Sequence, residues 1–261
     1  MDESGNPFVA ERAGINLYAE HSLHASLKEA LAAPGDRLEA LVGGKVVDLV
    51  RADGELVEVQ TRGLNKIVPK VLGLAAAGHR VRVVHPVAVE TRIHRLDPAS
   101  GELLSTRRSP KRGDLWSLFD ELVMASALVA RPRVSVEVLF VRVAEFRARD
   151  GSGSWRRRGD RTQDRVLEER LESRLFRTRA DWLRLIPRGL PPPWSSDALG
   201  KALDIGADRA RKLLYVYAKA GLLAEKGRSG RRKLYVPAPR AGAASGSASA
   251  GKPAGRGGRG G

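Results

Sequence analysis

The 261-residue sequence has no cysteine, which excludes disulfides, thiolate zinc sites and cysteine nucleophiles. No uninterrupted apolar run approaches the roughly 18 residues that a membrane span needs. The N-terminal segment lacks the basic-then-apolar pattern of a signal peptide. From these absences we expect a cytoplasmic protein, associated with the nucleoid, with no membrane partner.

Acidic residues are few compared with basic ones. Lys and Arg total 46 against 30 Asp and Glu, a formal net charge of +16. An excess of this size attracts polyanions over distances well beyond single contacts, so it favours nucleic acid as the partner, and double-stranded DNA above all. A highly charged, soluble surface without a ligand is the alternative reading of the same number.

Composition divides the chain into four zones. Residues 1–147 alternate apolar strand and helix patterns, and residues 148–177 combine a Gly/Ser-rich basic linker with a connecting helix. Residues 178–237 form a second, small domain. The Gly/Ala/Ser-rich tail, residues 238–261, has little to bury and is expected to be disordered.

The first zone predicts an α/β (α+β) domain in the order α, β, β, α, β, with an added hairpin, helix and strand. A helix followed by an apolar strand fits a crossover that adds a parallel strand. The predicted helices cover residues 15–31, 64–77 and 114–129, and the strands cover 38–50, 56–61, 80–89 and 133–147, with short strands flanking Pro98 and Gly101.

Three carboxylates in this zone are predicted to converge. Glu20 lies three residues before Leu23 on the apolar face of the first helix. Asp48 lies in the first strand, and Glu58 and Gln60 share one face of the second. Carboxylates that meet at one end of a sheet are suited to hard cations, so the expected cofactor is Mg²⁺ or Mn²⁺.

The chain has a helical glutamate, the run Val-Val-Asp48-Leu-Val and the triplet Glu58-Val-Gln60, with nine residues between Asp48 and Glu58. This pattern resembles the core motif of the PD-(D/E)XK nuclease superfamily, in its Holliday-junction resolvase-like branch. The resemblance covers about residues 15–90. It implies a restriction-endonuclease-like αββαβ core that hydrolyses phosphodiester bonds of double-stranded or branched DNA. It also implies that Asp48 and Glu58 bind the metal, that Glu20 assists, and that the carbonyl of Val59 is a further ligand.

The motif departs from the superfamily at Gln60, where lysine is usual. Glutamine can orient a water molecule but carries no charge. Lys66 or Lys70 on the following helix could supply the missing cation, with Arg62 as a third candidate.

Other interpretations of these residues stay open. Glu58 and Gln60 could form the solvated face of an edge strand, and Glu20 could pair with a structural arginine. His21 and His24 are more typical of surface or core-edge residues than of metal ligands. The whole domain could have the nuclease fold and be inactive.

The second domain has helix-turn-helix spacing. Ser195 and Ser196 can cap a helix over 197–203, and a second helix covers 207–220, stopped by Gly221. Two short strands with a basic loop follow, so residues 178–237 resemble a winged helix. The residues expected to contact DNA are Arg209, Arg211, Lys212, Tyr215, Arg228, Arg231, Arg232 and Lys233.

The leading hypothesis is a metal-dependent DNA endonuclease that a winged helix targets to DNA, with Gln60 and Lys66 positioning the attacking water. One rival is a catalytically inactive nuclease fold that binds DNA in regulation, repair or defence, and another is a nucleoid-type or RNA-binding protein that acts by charge alone. Winged helices also serve as protein-interaction modules. A homodimer would suit a nuclease that cuts two strands, although the sequence has no interface signature.

Overall fold

The computed structural model describes residues 22–149 and 160–239. Glu20, His21 and the first part of the predicted first helix lie outside these ranges, as does nearly all of the tail. The described helices are α1 (Leu23–Leu31), α2 (Val68–Ala76), α3 (Leu118–Leu122), α4 (Arg179–Leu183), α5 (Ser196–Ala202) and α6 (Ala207–Lys219). The strands are β1 (Arg37–Val42), β2 (Lys45–Val50), β3 (Leu56–Val59), β4 (Val81–Leu96), β5 (Leu103–Arg108), β6 (Val134–Arg149), β7 (Asp160–Phe176), β8 (Leu223–Ser229) and β9 (Arg232–Pro237).

Seven strands form one mixed sheet in the order β1-β2-β3-β4-β6-β7. β1, β2 and β3 are antiparallel neighbours, whereas β3, β4 and β6 run parallel. β5 pairs with the second half of β4, on the edge that β3 occupies along the first half. The expected α/β class with a parallel strand added after a crossover helix is confirmed.

Helices cover both faces of the sheet. On one face of the sheet, Leu27 and Leu31 of α1 pack on apolar side chains of β2, β3, β4 and β6. The opposite face packs against α2, against α3 and against helices that follow β7. The sheet is therefore the middle layer of a three-layer arrangement, and its central strands are buried on both sides.

The predicted strand over residues 38–50 is two strands instead of one. Gly43 and Gly44 have φ angles of 55° and 74°, and the chain reverses there to pair β1 with β2. Glycine adopts this left-handed backbone without a Cβ clash, so the pair makes a tight hairpin inside an otherwise apolar run. Three strands, not two, precede the crossover helix α2.

Two predicted helices are shorter and more broken than expected. Residues 64–77 begin as a 3-10 turn (Leu64–Ile67) and become α-helical from Val68, with Pro69 in the first turn where no amide is needed. Residues 114–129 are a 3-10 turn (Leu115–Ser117), the one-turn helix α3 and a second 3-10 turn (Ser126–Leu128).

The prediction of a connecting helix within residues 148–177 is wrong. Residues from Asp160 form β7, which pairs antiparallel with β6 over its whole length. The sequence is rich in helix-forming Glu, Arg and Leu, but pairing with β6 outweighs that local preference. The sheet therefore extends through Phe176, beyond the expected domain boundary at residue 147.

Residues 178–239, here called the C-terminal unit, contain α4, α5, α6 and the β8–β9 hairpin. Ser195 caps α5 by accepting a hydrogen bond from the Ala198 amide, and Gly221 follows α6 with φ 72°. Trp194 also pairs with Tyr235 of β9. The helices and the hairpin expected here are thus present, within a few residues of their predicted bounds.

The C-terminal unit shares its core with the sheet. Phe176 at the end of β7 stacks on Trp182 of α4 with ring centroids 4.3 Å apart. Phe119 of α3 lies 5.8 Å from Tyr217 of α6, whose hydroxyl donates to the Trp182 carbonyl. Within the described residues, no helix combines the length and apolar character needed to cross a membrane.

Candidate functional site

Asp48 lies where β2 separates from β3. The strands pair at Leu49 and Val57, and beyond that point the Asp48 carboxylate accepts the Val59 amide at 2.8 Å in place of a strand carbonyl. His24 of α1 contacts the same carboxylate oxygen through Nε2 at 3.3 Å. Burial alone would raise the pKa of Asp48, but these two hydrogen bonds outweigh it and hold the pKa below its ordinary value.

Glu58 lies on the adjoining strand and is 4% exposed. Its Oε1 is 2.6 Å from Nζ of Lys70 in α2. Burial raises the pKa of Glu58, the lysine offsets only part of that effect, and the nearby charge of Asp48 raises the pKa further. β3 is an internal strand, so the alternative of a solvated edge-strand face at Glu58 is wrong.

The Gln60 side chain is bonded to the turn that follows β3. Its amide nitrogen donates to the carbonyls of Arg62 and Gly63, in the turn that precedes α2. The backbone carbonyl of Gln60 accepts from Nδ1 of His85, 2.8 Å away, and burial lowers the pKa of that histidine. Gln60 therefore orders the turn.

The predicted site is assembled in part. Asp48 and Glu58 come close enough for their charges to interact, whereas Glu20 lies outside the described residues. Lys66 is exposed and Lys70 meets Glu58, because Lys70 lies one helical turn further along. Sequence reasoning did not give His24 a role at Asp48. Its place on the first helix, four residues after Glu20, was the available signal.

The donor chemistry suits a hard cation, because the buried Glu58 and the half-buried Asp48 lie where their like charges repel. His24 contacts Asp48 and Lys70 contacts Glu58, which partly balances these charges. Over residues 22–149 and 160–239, no group of three or more His, Asp or Glu side chains is arranged to hold a metal ion. A third side-chain ligand would have to come from Glu20 or another residue outside those ranges.

The expected DNA-contacting face of α6 is divided. Arg209 and Lys212 were expected to point outward. Instead, Arg209 donates to Asp114 at 2.5 Å and Lys212 donates to Asp120 at 2.8 Å, both acids lying in or just before α3. The two basic side chains are therefore held against the sheet unit. The sequence could not show this because the acids lie about 90 residues away along the chain.

Arg211 and Tyr215 are exposed as expected, and Arg211 pairs with Asp208 one turn earlier. The hairpin also presents its basic side chains to solvent. Arg232 pairs with Asp197, Lys233 with Glu225, and Arg228 approaches Glu225 at 4.0 Å. Arg231, at the tip, is exposed.

Fold and site together define a mixed α/β protein in which a buried and a half-buried carboxylate lie where two strands separate, with the C-terminal unit packed against the sheet. A family model described as a domain of unknown function (DUF8091) matches residues 21–177, more than half of the chain, so the chain belongs to that family. The match ends within one residue of the end of β7. An uncharacterized protein of Treponema pallidum (strain Nichols) is 29% identical over 225 residues, covering 86% of this chain and 88% of the relative. No solved structure matches the chain.

Proposed function

We propose that this protein is a metal-dependent DNA endonuclease with a restriction-endonuclease-like core and a winged helix. The order α1-β1-β2-β3-α2-β4, antiparallel up to β3 and parallel from β3 to β4, supports the PD-(D/E)XK resemblance. The winged-helix resemblance is supported by the order of elements in the C-terminal unit: α4, the Trp194 bridge, α5, α6 and the β8–β9 hairpin.

The observation that carries the proposal is the Glu58–Lys70 contact beside Asp48. The motif lacks its usual lysine at Gln60, and α2 supplies a lysine to the same carboxylate pair. As an ammonium group, Lys70 would place positive charge where negative charge develops on a phosphoryl group during hydrolysis. We therefore assign this position to Lys70 in preference to Lys66.

Asp48 and Glu58 would hold Mg²⁺ or Mn²⁺, with Glu20 as the expected third ligand. The bound metal would polarise a phosphate oxygen and lower the pKa of a water molecule. His24, whose pKa is raised chiefly by its hydrogen bond to Asp48, would orient that carboxylate. The Val59 amide fixes the same carboxylate from the β3 side.

The test is cleavage of supercoiled plasmid and of a four-way DNA junction by the full chain, with Mg²⁺, Mn²⁺ or EDTA. We expect metal-dependent cutting, and a loss of about 100-fold or more in Asp48→Asn, Glu58→Gln and Lys70→Met. Lys66→Met is the matched control, because Lys66 is an exposed lysine two residues before α2, and it should cut like the wild type.

A catalytically inactive DNA-binding protein is the second candidate function. Two observations favour it. The Gln60 side-chain amide is bonded to the following turn, and each carboxylate already has a basic partner, His24 at Asp48 and Lys70 at Glu58. This alternative predicts DNA binding without cutting of either substrate with either metal. Cutting that survives Asp48→Asn and Glu58→Gln would reject the proposed site.

A further inference from the structure

Residues 107–112, the last two residues of β5 and the start of the loop that follows it, carry four basic side chains and are here called the basic segment: Arg107, Arg108, Lys111 and Arg112. No acid occurs between Glu102 and Asp114, and all four basic residues are exposed. Among the residues that the structure describes, Arg108 approaches Glu90 at 3.2 Å and the other three form no ion pair. The segment therefore projects concentrated positive charge into solvent.

The basic segment is fixed on the sheet. The Ser109 amide donates to the Thr91 carbonyl and the Gly113 amide to the Ala88 carbonyl, each at 2.8 Å. A Cβ at Gly113 would lie 2.7 Å from the Ala88 oxygen, so only glycine allows the chain to pass so close to β4. The backbone that carries the cations is therefore already ordered, so a ligand does not have to order it on binding.

The basic segment lies on the same edge of β4 as the candidate site. β6 occupies the other edge of β4 from Val81 to Leu96. On the edge opposite β6, β4 first pairs with β3. Beyond β3, the Val84 carbonyl accepts from the Gln60 amide and the Ala88 carbonyl accepts from the Gly113 amide. Val84 and Ala88 are four residues apart, roughly 13 Å along a strand. The end of the segment next to Gly113 is therefore the end nearer the carboxylates.

The same end of the basic segment lies near α6. Asp114 follows Gly113 directly and binds Arg209 at the start of α6, and Asp120 binds Lys212 one turn later. The two nearest downstream acids are thus engaged by α6 and do not neutralise the segment. The end of the basic segment next to Gly113 therefore lies beside the first turns of α6.

We propose that the basic segment binds the phosphodiester backbone of nucleic acid, along the same edge of β4 as the carboxylate site. This inference rests on the proposed function and names the surface that would hold its substrate. Closely spaced guanidinium and ammonium groups match repeating phosphates. Only Ser109 and Pro110 lie between the basic residues, without the large apolar side chains that insert into a membrane surface.

The test is equilibrium binding of a fluorescent 20-base-pair duplex in EDTA, measured across a series of salt concentrations. The variant is the triple substitution Arg107→Ala, Lys111→Ala and Arg112→Ala. We expect affinity at fixed salt to fall at least about tenfold and the slope of log K against log salt to decrease by about 2 to 3, since each phosphate contact contributes roughly 0.9.

The matched control removes three exposed basic residues at the opposite end of the sheet, Arg37, Arg80 and Arg131, all changed to Ala. Register places them there. Arg37 pairs with Val50 and Val50 with Leu56, while Leu56 pairs with Val81 and Val81 with Val134. Net charge changes equally in both triples. A second variant, Arg107→Lys with Arg112→Lys, keeps the charge and should keep the wild-type slope, which separates charge loss from misfolding.

Equal effects of the two triples would overturn the inference, because charge alone would then explain binding. Binding of the wild type to vesicles with anionic phospholipid, lost in the basic-segment triple while duplex binding stays unchanged, would also overturn it. If the wild type cuts DNA and the basic-segment triple retains its slope, this inference fails and the nuclease proposal stands. If the wild type never cuts and the triple shows the expected loss, the nuclease proposal fails and this inference stands.

Discussion

Glu145 of β6 is the most heavily compensated carboxylate among the described residues with a resolved shift. It is 2% exposed and contacts Arg147 at 2.6 Å, Arg165 at 2.5 Å and the Thr162 hydroxyl at 3.0 Å. Burial alone would raise its pKa, but the two arginines lower it to about 2. The ionised form is therefore the native one throughout the neutral range.

Glu145→Gln should destabilise the protein at pH 7 by up to about 3 kcal/mol, since the folded pKa is depressed and the arginines lose their partner. The wild-type contribution is complete above the ordinary pKa of 4.5 and is lost as pH falls towards 2. Urea unfolding at pH 7, 5 and 3.5 measures the difference between the two proteins. A difference that grows on acidification would contradict the assignment.

At the scale of elements, the contact between α5 and the turn before α6 depends on Gly200. A Cβ there would lie 2.9 Å from the Ile205 carbonyl oxygen, because α5 passes very close to the backbone of this turn. The Ile205 amide donates to the Gly200 carbonyl at 2.9 Å, which holds the turn against the helix. This close approach sets the angle between α5 and α6.

Gly200→Ala therefore tests a competition between two effects. In an exposed helix, alanine would gain about 1 kcal/mol over glycine. Here the clash should reverse the sign and give a net loss of about 1 to 2 kcal/mol. Gly189→Ala, which meets open space, is the control and should stay within about 0.5 kcal/mol. Thermal unfolding of both variants checks the signs.

At the scale of the whole molecule, the aromatic cluster fuses the C-terminal unit to the sheet. Phe119, Trp182 and Tyr217 are each at most 1% exposed and meet edge to face. The chain should therefore unfold as one cooperative unit, unlike a domain tethered by a linker.

Native-state hydrogen exchange measures this cooperativity. The slowest amides of β4 and α6 should exchange with the same free energy, and Phe119→Ala should lower both by about 3 to 5 kcal/mol. Met124→Ala, at a side chain that is 73% exposed, is the control and should change neither by more than about 0.5 kcal/mol. Exchange of α6 at a much lower free energy than β4 would show two independent units.

Sequence reasoning reached local features whose causes are local. Alternating apolar residues predicted the central strands, and glycine and serine signals predicted the ends of α2, α5 and α6. The same reasoning missed the β1–β2 hairpin, because the apolar run continues through Gly43 and Gly44. It took β7 for a helix, because the partner strand that decides its conformation is distant in sequence.

By itself, the sequence determined the absence of cysteine chemistry, the strong positive charge, and a carboxylate on each of two neighbouring strands. Tertiary structure alone decided which groups those carboxylates meet: His24 at Asp48, and Lys70 instead of Lys66 or Gln60 at Glu58. It also decided that Arg209 and Lys212 contact acids of the sheet unit, whereas Arg107, Lys111 and Arg112 of the basic segment form no ion pair with the described residues. The physical reason is that charge is counted along a chain, whereas pairing depends on which side chains packing brings within a few ångströms.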